Sequence, residues 1–172
     1  MAGSRLTNGV TLDMVHLALG QQVIAANIVP ASAVWLVLDD ESVPVENPPF
    51  QRFVTVKMPS LNWPYGEAFE GKSEFWCRGE SQVTLWLRNE LDIYGRFREG
   101  AKEAMSPGGG RLLGRLVKAF WEAELLDNNG DFILNRPMLF KNYKPPQPNA
   151  SAWRPFRLTW ELEFTWDLNA GG

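Results

Sequence analysis

The chain has 172 residues, 45% of them hydrophobic and 22% charged, with eight tryptophans, which suits one folded domain and excludes wholesale disorder. Seventeen Lys and Arg against twenty Asp and Glu leave a formal charge of −3, which argues against a dedicated nucleic-acid binder held by a dense basic face. Cys77 is the single cysteine, so an internal disulfide and zinc-finger spacing are both ruled out and reducing cytoplasm is the expected compartment.

In chain order, Asn8 or Thr11 is placed to cap a helix over about 10–26, whose apolar positions Leu12, Val15, Leu19 and Val23 share one face. Asp13, His16, Gln21, Gln22 and Asn27 interrupt this stretch, so neither a signal peptide nor a membrane span is expected. Pro30 ends the helical continuation, and AVWLVL (33–38) is a nearly continuous apolar run of the kind a central strand shows. An acidic, proline-containing connection follows, with Asp39, Asp40, Glu41 and Glu46 among Pro44, Pro48 and Pro49.

FVTVKM (53–58) and FWCRGESQVTLWLR (75–88) alternate as strands and together predict a projecting hairpin over about 53–88. Its long tip carries Trp63, Tyr65 and Phe69, and large aromatics on a loop serve either partner contacts or the domain's own core. A weaker helical spacing runs from Leu91 to Met105, and three glycines then precede the strongest amphipathic stretch, Arg111 to Leu126. Asn128, Asn129 and Gly130 are the expected helix stop. The region of about 136–155 holds five prolines and is expected as a surface loop.

The last segment is the most informative. From Phe156 to Leu168 apolar and polar residues alternate over thirteen positions, a strand of about 40 Å at the usual rise per residue. A strand of that length is expected to pair partly beyond its own domain. The fold class is therefore α/β (α+β). Its sheet is mostly antiparallel, with a long hairpin and a long C-terminal strand, and two or three helices flank it in a single domain over 1–172.

Chemistry is sparse. His16 is the lone histidine and sits on the first helix, where a surface or core role outweighs catalysis, and a Cys-His dyad or Ser triad has nothing to build on. The glycine run 108–110 lacks the preceding strand and the Lys-Ser/Thr ending of a phosphate loop. Glu161 and Glu163 share a strand face at about 7 Å, a separation carboxylate hydrolases use, yet they lie in an alternating surface ladder. No catalytic, cofactor or metal residue is assigned, and the chain is not expected to be an enzyme. The tryptophans on strands, Trp76, Trp86, Trp160 and Trp166, read as core or interface.

The N-terminal helix, the strands NPPFQRFVTVKMPS and FWCRGESQVTLWLR, the helix LLGRLVKAFWEAELL and the closing strand AWRPFRLTWELEFTWDL together resemble the tail-terminator, or neck and tail-completion, proteins of long-tailed bacteriophages. The resemblance spans about residues 10–168 and rests on the order and texture of elements; the Trp-rich 63–76 and the proline-rich 144–155 depart from it. It implies a virion protein, made in the host cytoplasm, that forms a homohexameric ring, caps the tail tube protein and docks the head-tail connector. It further implies that Trp63, Tyr65, Phe69, Trp76, Trp86, Trp160 and Trp166 meet neighbouring subunits or partners. Glu161, Glu163 and Asp167 would face a channel through which DNA passes only as cargo, with no membrane and no cofactor involved. Other head-tail joining or tail-tube proteins, and a carbohydrate- or ligand-binding β-rich module using the loop tryptophans, are the alternatives.

Overall fold

The structure is a computed structural model that describes residues 9–38, 52–62, 74–88, 112–145 and 153–167. Helix α1 spans Leu12–Ala26. Thr11 stands in an extended conformation before it and its Oγ1 accepts from the Met14 amide at 3.2 Å, which satisfies one of the helix's unpaired donors. Asn27 ends the helix in the left-handed region at φ 54°, a conformation that asparagine tolerates better than most residues. A single 3₁₀ turn, Ala31–Ala33, leads into β1, Val34–Val37.

The remaining elements are β2 (Arg52–Lys57), β3 (Ser60–Asn62), β4 (Glu74–Arg88), α2 (Leu112–Phe120), β5 (Leu139–Lys144) and β6 (Trp153–Asp167). Among the described residues the strands form one six-stranded mixed sheet in the order β1-β2-β4-β6-β5, with β3 pairing β4 beside β2. Only β1 and β2 are parallel; the other pairs are antiparallel. The predicted hairpin is present as β2 and β3 folding back on β4. The α+β class, the antiparallel bias and the long strands match the reading of the sequence.

The two helices among the described residues, α1 and α2, pack on one face of the sheet. Val15, Leu19 and Val23 of α1 and Leu112, Leu116 and Phe120 of α2 are buried there, opposite Val54, Val56, Val83, Leu85 and the even-numbered apolar residues of β6 from Phe156 to Phe164. Trp160 lies at the centre, with its ring 5.6 Å from Phe120 and 5.3 Å from Phe140. The two helices are tied by Gln22, which donates to the Ala119 carbonyl at 2.6 Å, and by Arg115, which donates to the carbonyls of Ala26 and Asn27. A guanidinium there satisfies carbonyls that the end of α1 leaves open.

Four expectations change. Within the run 33–38, Val34–Val37 form β1, which lies at the edge of the sheet among the described residues rather than at its centre; α1 covers it, and Gly20 lets Leu36 pack directly over the helix backbone. Helix α2 stops at Phe120, six residues short of Leu126, because Glu122 adopts a left-handed φ of 52° and the Ala123 amide turns back to the Phe120 carbonyl. Asn128 to Gly130 consequently belong to a tight turn, not a helix stop. Asp127 Oδ1 accepts from the amides of Asn129 and Asp131, and Leu126 bridges Phe132 across the turn. Within the expected proline-rich loop lies β5, paired with β6 from Leu139 to Lys144. The helix expected over 91–105 lies outside the described residues.

Cys77 is buried on β4, and desolvation pushes its thiol up to about 11 from 9.0. The proton therefore stays on the native thiol through neutral pH. A thiol reagent at pH 8 is expected to leave the native protein unlabelled and to modify one group per chain in denaturant, as mass spectrometry would record. Because the native pKa is raised, this group's stabilising contribution is complete below about pH 9 and is lost as pH climbs towards 11.

Candidate assembly surfaces

The longest feature of the sheet is the β4–β6 ladder, in continuous register from Glu74 against Asp167 to Arg88 against Trp153. Two strands of fifteen residues each cover one another completely, and β5 covers part of the other side of β6. The long partner of the C-terminal strand on one side is thus β4 of the same chain, while on its other side β5 reaches only Arg157 to Glu161 among the described residues. Trp160 and Trp86, placed by the sequence among subunit or partner contacts, are buried within this chain, so their rings serve its interior.

On the sheet face away from the helices, alternation brings two groups together. At one end Trp35, Phe53, Trp86 and Trp153 form an aromatic cluster around Phe53, with ring distances of 4.7, 5.7 and 4.8 Å. Trp86 Nε1 donates to Thr55 Oγ1 at 2.9 Å, and Arg157 lies over the Trp86 ring at 5.8 Å. Tryptophan burial is thus compatible with its polar N–H on a face the alternation assigns mostly to water.

Farther along the same face, Glu161 and Glu163 stand two residues apart on β6. Arg78, across the ladder, reaches them at 3.3 and 3.5 Å. Arg136, which precedes β5, reaches the same two carboxylates at 3.1 and 3.4 Å. Two carboxylates and two guanidiniums alternate, so the predicted acidic strip is electrically closed. Pairs this accessible stabilise weakly one by one, and a shared network holds its geometry better than isolated pairs. Lys141 pairs with Glu80 at the margin of the cluster. Asp167, the third predicted channel residue, accepts from the Gly9 amide at 3.2 Å through Oδ2 and so fastens the chain before α1 to the end of β6. Arg136 was not singled out from sequence, because nothing local marks it as the partner of residues twenty-five and more positions away.

The other predicted contact residues fall in different places. Trp76 projects from this polar face and is 65% exposed. Trp166 is half-buried against the core. Trp63, Tyr65 and Phe69 lie outside the described residues. His16 is buried and its Nε2–H donates to the Val56 carbonyl at 2.7 Å; since a carbonyl only accepts, the proton is on Nε2. That bond joins α1 to β2, a core role. Among the described residues no helix is long and apolar enough to cross a membrane, and no three His, Cys, Asp or Glu side chains are grouped as metal ligands.

The two outer strands carry exposed apolar groups that the sequence did not flag. Beside β1 these are Leu17, Leu36 and Leu38, the last 75% exposed. Around β5 they are Trp121, Leu126, Leu139 and Phe140, with the Trp121 and Phe140 rings stacked at 6.2 Å. Both strands are outermost among the described residues, and exposed apolar groups at a sheet edge are the kind of surface on which proteins meet other chains.

No protein-family model matches this chain, and no curated protein does. Among solved structures, a chain from the virion of a native gene transfer agent particle shares the fold. The two align with a TM-score of 0.53 and 14% sequence identity, over 91% of this chain and 98% of that one.

Proposed function

We propose that this protein is a structural subunit of a phage-type virion, and within that class a tail terminator that assembles as a homohexameric ring, caps the tail tube and joins it to the head-tail connector. The observation that supports this most is the fold shared with a chain built into a gene transfer agent virion, along nearly the full length of both. The two unlike apolar edges of the sheet support it as well, because a ring requires each copy to offer two different surfaces. In this reading the protein catalyses no reaction and holds no cofactor; its work is done by surfaces. The paired face carrying Glu161, Glu163, Arg78 and Arg136 is the one we assign to the channel. Charges closed into pairs neither grip passing phosphate, as a basic lining does, nor repel it strongly.

Electron microscopy of the purified protein, alone and mixed with tail tubes, tests the assignment. Isolated rings that seat on tube ends and stop further growth are the expected result. Long tubes formed by the protein itself would instead make it a tail-tube subunit, and rings that bind only head particles would make it a head-completion protein.

A further inference from the structure

Strand direction at the two sheet edges decides how copies can meet. Strand β1 runs parallel to β2, β2 is antiparallel to β4, β4 to β6, and β6 to β5. Hence β1 and β5, the outermost strands among the described residues, point in opposite directions. A second copy laid beside the first in the same orientation brings its β5 against the first copy's β1 as an antiparallel pair, the more stable of the two ladder types.

The side chains at the two edges are suited to one another. In the sequence Leu38 is followed by Asp39, Asp40 and Glu41, while β5 carries the exposed Lys144 and Lys141, the latter paired with Glu80 of its own chain. Each edge also presents large apolar groups on the helix side. Leu17 lies one turn before Gly20, on which Leu36 packs. At the other edge Trp121, 56% exposed, stacks on Phe140, which in turn abuts the buried Trp160. An exposed tryptophan backed by core is the kind of anchor on which interfaces concentrate their affinity.

We propose that copies of this chain join head to tail by continuing the sheet, with the β1 edge of one (Leu36 and Leu38) seated against the β5 edge of the next (Trp121, Leu139, Phe140 and Lys144). This deepens the ring assignment and rests on its premise that the chain assembles with itself. The contact is heterologous, since the two patches differ, and a heterologous contact propagates until it closes.

The test uses the full chain and two variants. Leu17→Lys/Leu38→Lys alters only side chains exposed at the β1 edge, and Trp121→Lys/Leu139→Lys does the same at the β5 edge. Thermal unfolding establishes that both fold. Native mass spectrometry and sedimentation are expected to show the unaltered chain as a closed oligomer. Each variant alone should be monomeric, with association weakened about 30-fold or more. An equimolar mixture should stop at a dimer of one copy of each variant, because each retains one intact edge. Oligomers that survive in either variant alone would overturn this contact while leaving a ring built through other surfaces standing. A mixture that stays monomeric would overturn it too, and an unaltered chain that is monomeric at every concentration would remove both the contact and the self-assembly it rests on.

Discussion

Trp160→Ala is expected to lower the midpoint of thermal unfolding by roughly 10 °C, a loss of about 3–5 kcal/mol. The ring is fully buried at the centre of β6 and touches α2 through Phe120 and β5 through Phe140. Truncation therefore opens a cavity where α2, β6 and β5 meet. For a domain whose whole stability is of order 10 kcal/mol that is a large fraction. Trp76→Ala supplies the contrast. With its ring 65% exposed, its removal should change stability by no more than about 0.5 kcal/mol. Trp160→Phe should fall between the two, because it keeps most of the ring volume and drops an indole N–H that has no hydrogen-bond partner among the described residues. Equal effects of Trp160→Ala and Trp76→Ala would contradict the assignment of Trp160 to the core.

Gly79→Ala should cost about 2–3 kcal/mol, read as a lower urea midpoint at unchanged slope. A Cβ at this position of β4 would lie 2.4 Å from the Ser60 carbonyl oxygen and 2.9 Å from Leu61 Cδ2. The Leu61 methyl can swing aside, but the Ser60 oxygen belongs to β3, whose pairing with β4 sets its position. The strand must move or the ladder must break. In an uncrowded strand the same substitution is mildly favourable, since alanine restricts the unfolded chain more than glycine does. The sign of the measured change thus decides whether β3 is pressed onto β4 as described. A stabilised variant would mean that it is not.

The closed charge cluster bears on what the channel assignment can mean. An exposed row of bare carboxylates would hold DNA off by charge and would weaken steeply with salt. Glu161 and Glu163 locked between Arg78 and Arg136 present instead a surface of small net charge. Its behaviour is set by geometry, and removal of either arginine would restore the acidic character that the strand alone suggests.

How far the sequence could be read depended on how local each signal was. The alternation in 75–88 and 156–168 depends only on neighbours along one strand, so the inward and outward faces of β4 and β6 were legible, as was α1 with its Thr11 cap. The end of α2 was not legible. The apolar spacing runs on through Trp121 and Leu126, and the residue that breaks it, Glu122 at φ 52°, carries none of the glycine signal that usually announces a left-handed turn. LFKNYK was hidden by the surrounding prolines and lacks clean alternation, since β5 is an edge strand with a register shift between Phe140 and Asn142.

The candidate surfaces divide in the same manner. Alternation assigns a tryptophan to a face but not to a depth, so Trp86, Trp160 and Trp76 look alike in sequence and differ in burial by what is stacked upon them. Composition and periodicity by themselves determined an α+β fold with two long amphipathic strands, because those properties are sums over neighbouring residues. Which strand lies at an edge, which carboxylates find an arginine, and which leucines are left facing water were decided only when β4, β6 and β5 came together. Pairing order joins residues far apart in the chain, and no pattern within a single segment encodes it.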